Sequence, residues 1–312
     1  MIGHGEPEVF EEELWAEALH EMFEELKRTG IEAPSDEAIP MMLPIIRGKY
    51  AAIGGRSRHN EIIGKQSELV ARKLHEHVIS YGFNEFTSPH FTDVAKQMIR
   101  GGITSVVFVP MMMTDSSHTQ EIKYKIECMN LQGQGVAWVM SKPLFYRPEP
   151  TQLVINKIMR AAGNIPPDKI GILLVSHGEP DQWALSSTIH TKCNEHEKAF
   201  ALCVKKGLIE RGFLWENIVR GFNEFTHPEI AEAAEGLAHK KVKKIVAAST
   251  FGSTDCIHVN YDIPAKIKES IDNAAVEIVC LNGWNEDPLL ITAYCELIKE
   301  SLLLLAENQI KI

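Results

Sequence analysis

The sequence GFNEFT occupies residues 82–87 and occurs again, unchanged, at residues 221–226. In each copy a proline follows two residues later, at Pro89 and Pro228. The offset between the copies, from 82 to 221, is 139 residues. A repeat at this separation indicates an internal duplication, and a duplication constrains the architecture more strongly than local propensity does.

Two more motifs recur in the same order around this repeat. The sequence HGEP occupies residues 4–7 and 177–180, and the pattern T-D-x-x-H occupies 114–118 and 254–258. The chain is therefore predicted to consist of two homologous halves, with domains at 1–166 and 167–312. The HGEP copies are 173 residues apart rather than 139, so an insertion of about 34 residues is expected in the first half, at about 31–66.

Each half alternates short apolar runs with segments of helical periodicity. The runs Val106–Val109, Ile172–Val175 and Ile245–Ala248 have the form of strands buried on both faces. Apolar residues from Phe10 to Leu26 recur at helical spacing. The predicted fold class is α/β, with two homologous Rossmann-like halves built on parallel sheets. Only residues 1–3 precede the first HGEP motif, so either the start codon lies further upstream or the first strand is shortened.

The composition excludes several classes of protein. The chain has 312 residues, of which 45% are hydrophobic and 24% charged, as in ordinary globular proteins. Its 32 basic and 42 acidic residues give a net charge of −10, so no nucleic-acid partner is expected. No apolar stretch approaches the roughly 18 to 20 residues that span a bilayer, so we predict no transmembrane segment and a cytoplasmic location. Six cysteines without a C-x-x-C pair indicate neither a zinc ribbon nor an iron–sulfur cluster.

Three polar residues of the second half follow predicted strands. His177 comes directly after one strand, Glu224 follows the apolar segment Ile218–Phe222, and His258 lies in the loop after a third. The carboxyl ends of parallel strands share one edge of a sheet, so these side chains are predicted to converge. Two imidazoles and a carboxylate suit a borderline divalent cation such as Fe²⁺, Co²⁺, Ni²⁺ or Zn²⁺. The equivalent set in the first half is His4, Glu85 and His118.

Structural roles remain open for these residues. A histidine at a loop is often a solvated or capping residue, a glutamate often caps a helix, and duplication alone can preserve such a role in both halves. His190 and His196 lie downstream of the second HGEP motif, where they are candidates to line the same crevice. No G-x-G-x-x-G or Walker A pattern follows either first strand, so the HGEP loops are not predicted to bind nucleotides.

The combined motifs resemble the class II tetrapyrrole metal chelatases, which comprise ferrochelatases and sirohydrochlorin chelatases. Each half shows a strand, H-G, F-x-E-x-x-x-P, and a further strand followed by a histidine loop. The loop H-V-x-x-D-I-P at 258–264 is similar to that of the cobalamin and siroheme branch. The resemblance implies a His-Glu-His metal site at His177, Glu224 and His258, or equivalently in the first half.

The inserted region is instead similar to ferrochelatases. The pattern Y-x-x-I-G-G-x-S at 50–57 resembles a ferrochelatase segment near the porphyrin, and the apolar run Met41–Ile46 resembles the lip that covers the macrocycle. Arg58 stands where that segment usually has proline, and His258 stands where ferrochelatases generally have a catalytic glutamate. The resemblance implies six substrate-binding residues, namely Met41, Met42, Tyr50, Arg56, Ser57 and Arg58. Arg47, Lys49, Arg56 and Arg58 would supply positive charge for ring carboxylates.

The leading functional prediction is a lyase that inserts Fe²⁺ into a porphyrin in heme biosynthesis. His177, Glu224 and His258 would serve as catalytic metal ligands and proton acceptors. The alternative is a sirohydrochlorin cobaltochelatase or ferrochelatase, which the His-Glu-His set favours, whereas the apolar lip favours a porphyrin. A different class, a non-catalytic tetrapyrrole or metal carrier, is also consistent with the sequence. The expected partners are a small-molecule tetrapyrrole and the substrate metal, Fe²⁺ or Co²⁺, with no further cofactor.

Overall fold

The computed structural model describes residues 1–185, 190–252, 254–271 and 276–310, with the side chains of 308–310 left out. Its strands are β1 (Ile2–Gly3), β2 (Gly82–Phe83), β3 (Ser105–Phe108), β4 (Ala137–Met140), β5 (Ile170–Ser176), β6 (Ile218–Phe222), β7 (Lys244–Ser249) and β8 (Glu277–Cys280). Its α-helices are α1 (Glu12–Arg28), α2 (Ile39–Ala52), α3 (His59–Lys73), α4 (Phe91–Arg100), α5 (Ser117–Cys128), α6 (Glu149–Ala162), α7 (Cys193–Ile209), α8 (Ile230–Ala238), α9 (Ile263–Ser270) and α10 (Pro288–Ile310).

The second half contains a parallel four-stranded sheet in the order β6-β5-β7-β8. Every residue of β5 is buried, because helices cover both faces of the sheet. Ser176 pairs with Phe222 of β6, and Val175 pairs with Ser249 of β7. The carboxyl ends of these three strands are therefore level, which is the arrangement predicted from the apolar runs.

The first half repeats this order with shorter strands. β1 pairs with β2, β3 pairs with β4, and the backbone of Ile2 bonds to Val109 and Met111 just beyond β3. The resulting order is β2-β1-β3-β4, all parallel. β1 has two residues where β5 has seven. A cavity of about 320 Å³ lies at the Met1 end of β1, away from His4.

The two halves share a hydrophobic core. Ile63 and Ile158 of the first half belong to the same buried cluster as Ile172, Leu174 and Val204 of the second. The halves are therefore packed against each other rather than joined only by the connection after α6. Among the described residues, no helix is both long enough and apolar enough to cross a bilayer.

The inserted residues lie closer to the N-terminus than the motif offsets suggested. Asn60 and Asn194 make equivalent bonds, since each side-chain amide donates to the backbone oxygen of the HGEP glutamate in its own half. Helix α3 therefore corresponds to α7, and we infer that the extra residues lie between Pro7 and Asn60, a range that overlaps the expected 31–66 but begins earlier. They form α1 and α2, which the net length difference between motifs was unable to place.

Helices α1 and α2 pack on the second half of the molecule. Leu19 and Phe23 of α1 meet Leu43 and Ile46 of α2 in a buried cluster that also contains Ile257. Ile257 directly precedes His258. The insertion of the first half therefore supports the histidine loop of the second.

Candidate metal centres

Both HGEP loops pass very close to a GFNEFT turn. A side chain on Gly178 would lie 2.2 Å from the Glu224 carbonyl oxygen, and one on Gly5 would lie 2.1 Å from that of Glu85. Both glycines also have positive φ, at 87° and 100°, so no other residue fits there without strain. The backbone N–H of Glu224 donates to the His177 carbonyl oxygen at 2.9 Å. This close crossing of two loops fixes each glutamate beside its histidine.

The structure brings His177, Glu224 and His258 together, as the strand order predicted. One ligand atom from each residue lies within 4.8 Å of the others. Nδ1 of His177 donates to the Gly178 carbonyl oxygen at 2.8 Å, so Nε2 carries the free lone pair. The rings of His177 and His258 are nearly perpendicular, with centroids 5.3 Å apart. We call this set the second-half triad.

A buried carboxylate orients His258. Nδ1 of His258 donates to Oδ2 of Asp262 at 2.6 Å, which leaves Nε2 for a ligand. The other carboxylate oxygen of Asp262, Oδ1, forms an ion pair with Nζ of Lys49 on α2 at 2.8 Å. Burial raises the pKa of Asp262, but the bond to His258 and the charge of Lys49 outweigh it and lower the pKa to about 2. A carboxylate behind a histidine is the usual support for a metal-binding imidazole.

The remaining charges of the second-half triad also favour a cation. Burial lowers the pKa of His177, which keeps this imidazole neutral at pH 7. Burial raises the pKa of Glu224, but His177 and His258 outweigh this effect, and the net pKa is lowered. Within the part of the chain that the structure describes, no side chain or N–H donates to the Glu224 carboxylate. An ionised, unengaged carboxylate beside two imidazole nitrogens is well suited to Fe²⁺ or Co²⁺.

The structure also brings His4, Glu85 and His118 together, and we call them the first-half triad. Here the carboxylate is already engaged, because Glu85 Oε1 accepts from Nδ1 of His118 at 2.9 Å and from Asn84 at 2.8 Å. Burial alone would lower the pKa of His118, but the charge and hydrogen bond of Glu85 raise it to about 9. His118 is therefore protonated at neutral pH, and the triad is closed by an internal ion pair.

The six residues assigned to substrate binding divide by exposure. Met41 is 70% exposed on α2, whereas Met42 packs partly against the cluster beneath α1 and α2. Tyr50 is buried and its hydroxyl donates to the Pro7 carbonyl oxygen at 2.6 Å. Ser57 is also buried, and its Oγ accepts from the backbone N–H of His59. Tyr50 and Ser57 therefore hold the insertion in place, and their assignment to ring binding stays a prediction.

The arginines of this region are exposed and paired with acids. Arg56 lies 2.8 Å from Glu8, and Arg58 lies 3.6 Å from Glu61 and 3.9 Å from Asp255. Arg47 pairs with Glu12 in the same way. Exposed ion pairs of this kind contribute about 1 kcal/mol or less, so the arginines can exchange these partners for ring carboxylates.

The two remaining candidate histidines differ in position. His190 is exposed. His196 is buried on α7, stacks on Phe145 at 4.1 Å between centroids and accepts from the backbone N–H of Asp115 at 3.3 Å. His196 therefore connects the halves and is not free to line the crevice. The supporting roles of Asp262 and Lys49 were not anticipated, although Asp262 follows His258 at helical i, i+4 spacing.

Comparison with known proteins places this geometry in context. The protein-family model for ferrochelatase matches residues 38–302 of the chain. No curated protein matches the chain in sequence.

Solved structures share the fold. SirB from Bacillus subtilis with Fe³⁺ is similar over 77% of this chain and 88% of its own, with a TM-score of 0.57 and 14% identity. The sirohydrochlorin chelatase SirB from Bacillus subtilis subspecies spizizenii, in complex with cobalt, is similar over 96% and 92%, with a TM-score of 0.51 and 12% identity. A multi-domain protein from Deinococcus radiodurans, described as similar to chelatases, is covered over 50% of its length and matches 77% of this chain, with a TM-score of 0.52 and 13% identity.

Proposed function

Because the chain belongs to the ferrochelatase family and is a metal chelatase acting on a tetrapyrrole, we propose that it inserts Fe²⁺ or Co²⁺ into a ring of the sirohydrochlorin type. The proposed site of insertion is the second-half triad. The observation that carries the proposal is the set of two free imidazole Nε2 atoms beside the ionised, unengaged carboxylate of Glu224. The first-half triad is the second candidate. Its Glu85 carboxylate is already bonded to His118 and is therefore less available to bind a cation.

The chemistry of insertion matches these groups. The ring exchanges two pyrrole protons for one divalent cation, so the charge of the ring pocket is conserved. His177, Glu224 and His258 hold the cation in place of its water ligands. As the cation passes to the ring nitrogens, the same lone pairs become available to accept the two protons. Distortion of the ring, which exposes its nitrogens, would be driven by binding contacts at its periphery.

Three observations bear on the identity of the ring. The His-Glu-His set and the likeness to SirB support a sirohydrochlorin-type substrate. The porphyrin alternative, with Fe²⁺ as in heme biosynthesis, is supported by Met41 and Ile45, which are 70% and 61% exposed on one face of α2. The eight carboxylates of sirohydrochlorin and the two of protoporphyrin make these alternatives separable by experiment. Membership of an enzyme family favours catalysis over a carrier role.

The test is an insertion assay with three rings and two metals. Purified protein is mixed anaerobically with sirohydrochlorin, coproporphyrin or protoporphyrin and with Fe²⁺ or Co²⁺, and the absorption bands of the metallated ring are followed. Multiple turnovers, fastest with sirohydrochlorin, are expected. Faster turnover with protoporphyrin would favour the porphyrin alternative, and tight ring binding without turnover would favour a carrier. The variant His75→Ala, at a remote histidine whose side chain is 84% exposed, is the matched control.

A further inference from the structure

The glutamates of the two HGEP motifs reach across the molecule rather than to their own histidines. The carboxylate of Glu6, in the first half, accepts from the backbone N–H of Ile257 at 3.2 Å. The carboxylate of Glu179, in the second half, accepts from the backbone N–H of Ser117 at 2.8 Å. Ile257 directly precedes His258, and Ser117 directly precedes His118. Each glutamate is therefore bonded to the histidine segment of the opposite half.

Both bonds are made to backbone N–H groups at the start of a helical segment. Ser117 is the first residue of α5, and Ile257 directly precedes the π-helical turn His258–Asp262. The first N–H groups of a helix have no partner within it and carry its partial positive charge. A carboxylate placed there fixes both the position and the rotation of the helix that carries the histidine.

Each glutamate is itself firmly held. The backbone N–H and carbonyl of Glu6 bond to the side chain of Asn60, and those of Glu179 bond to Asn194. The contact to the opposite half therefore comes from a rigid loop.

A second pair of contacts crosses between the halves beside the first. The hydroxyl of Thr254 lies 2.6 Å from Nδ1 of His59, at the start of α3. The hydroxyl of Thr114 donates to the sulfur of Cys193 at 3.3 Å, at the start of α7. The T-D-x-x-H loop of each half is thus bonded twice to the opposite half.

We propose that Glu6 and Glu179 are exchanged positioning residues, each of which holds the triad histidine of the opposite half in its ligating orientation. The inference rests on the proposed metal centre at the second-half triad, and it assigns the support of that centre to the first half of the chain. Glu6, which lies two residues from His4, positions His258. Glu179, which lies two residues from His177, positions His118.

If each glutamate supports the opposite half, a change at Glu6 in the first half should weaken metal binding at the second-half triad more than a change at Glu179 does. Glu6→Ala is expected to weaken Co²⁺ binding at that triad about tenfold, whereas Glu179→Ala weakens it less than about threefold. Co²⁺ is used alone and followed by its visible absorption bands in a His4→Ala background, which leaves the second-half triad as the intact site. Glu6→Gln keeps an oxygen that accepts from Ile257 and is expected to restore most of the affinity.

The experiment separates the exchange from a general structural role. Circular dichroism and thermal unfolding establish that each variant is folded, and Glu6→Asp, whose shorter side chain falls short of Ile257, replaces Glu6→Ala if the latter does not fold. A larger loss from Glu179→Ala, or equal losses from both, would overturn the inference. Because Co²⁺ binding is measured without a ring, failure of every insertion assay would refute the proposed reaction and leave this result unaffected.

Discussion

The two triads contain the same residue types but differ by one residue in the helix that follows. Counted from the histidine, the first carboxylate is Glu121 at position +3 in the first half and Asp262 at position +4 in the second. Lys125 and Lys266 lie at +7 and +8, and each bonds to the carbonyl oxygen of the asparagine before its triad glutamate. The second half therefore has one extra residue, which the π-helical turn accommodates.

The extra residue changes which carboxylate supports the histidine. In the second half it places Asp262 against Nδ1 of His258, so Glu224 is left unengaged. In the first half Glu121 bonds to Asn84 instead, and His118 turns its Nδ1 to Glu85. Because of this one extra residue, His258 is supported by Asp262, a carboxylate outside its triad. His118 instead bonds to Glu85, the carboxylate of its own triad.

The largest expected effect of this difference is on insertion activity. His177→Ala and His258→Ala should each lower the metal-insertion rate by more than about 100-fold, because each removes a ligand of the ready triad. His4→Ala and His118→Ala should lower it by less than about tenfold, because His118 is protonated and paired at neutral pH. The measurement is kcat/KM with sirohydrochlorin and Co²⁺, with thermal unfolding to verify the fold. The reverse ranking would place the working site in the first half, and equal losses would indicate two cooperating sites.

Replacement of the supporting carboxylates tests the one-residue shift itself. Asp262→Asn leaves the side-chain size unchanged but removes the charge that holds Nδ1–H of His258, and we expect Co²⁺ affinity and insertion rate to fall about 10-fold to 100-fold. The matched change Glu121→Gln removes a carboxylate that bonds to Asn84, and we expect less than about a threefold effect, on the order of one partly buried hydrogen bond. Similar losses from both variants would contradict the assigned role of Asp262.

The pH dependence follows from the charge on His258. Burial lowers the pKa of His258, but Asp262 and Glu224 outweigh it and raise the pKa above the ordinary value of 6.5. A cation binds Nε2 only after that nitrogen loses its proton, so insertion should fall about tenfold per pH unit below this raised pKa. In Asp262→Asn the acid limb should move to lower pH, because the carboxylate that stabilises the imidazolium is gone. A rate that is flat from about pH 5 to 8 would exclude a histidine ligand.

Sequence patterns predicted which residues come together in both triads. They did not predict that Glu85 is bonded to its own triad histidine whereas Glu224 is not. The repeat and the rule that parallel strands share an edge were enough to bring His177, Glu224 and His258 together. The turn after His258 is joined to an inserted helix by the Lys49–Asp262 ion pair. The spacing of Asp262 at +4 from His258 is visible in the sequence, but the π-helical turn and the contact from Lys49 are visible only in the structure, so the roles of Asp262 and Lys49 were not predicted.

The insertion was the least predictable region for a similar reason. The motif offsets gave only a net difference in length between the halves, and the place of the insertion depended on Asn60 and Asn194, whose equivalence is visible only in their bonds. The resemblance to a ring-binding segment identified Tyr50 and Ser57, yet both side chains are buried, Tyr50 in the cluster that α1 and α2 form with Ile257. Burial of this kind depends on the partner helix, which the segment's own sequence does not specify.

The smallest expected effect concerns the exposed arginines of the insertion, which have no equivalent in the second half. If Arg56 and Arg58 meet ring carboxylates, the double variant Arg56→Ala/Arg58→Ala should raise the KM for the ring by about fivefold or less and change kcat little. Contacts far from the ring nitrogens stabilise the bound substrate and the transition state alike, so they affect KM alone. The increase should be larger for sirohydrochlorin than for protoporphyrin and should shrink at high salt, because screening weakens exposed charge pairs. The variant Arg72→Ala/Arg160→Ala, at two arginines that are 74% and 70% exposed, removes the same charge elsewhere and should leave KM within twofold. If both double variants raise KM equally, the arginines act only through net charge and the insertion does not contact the ring edge.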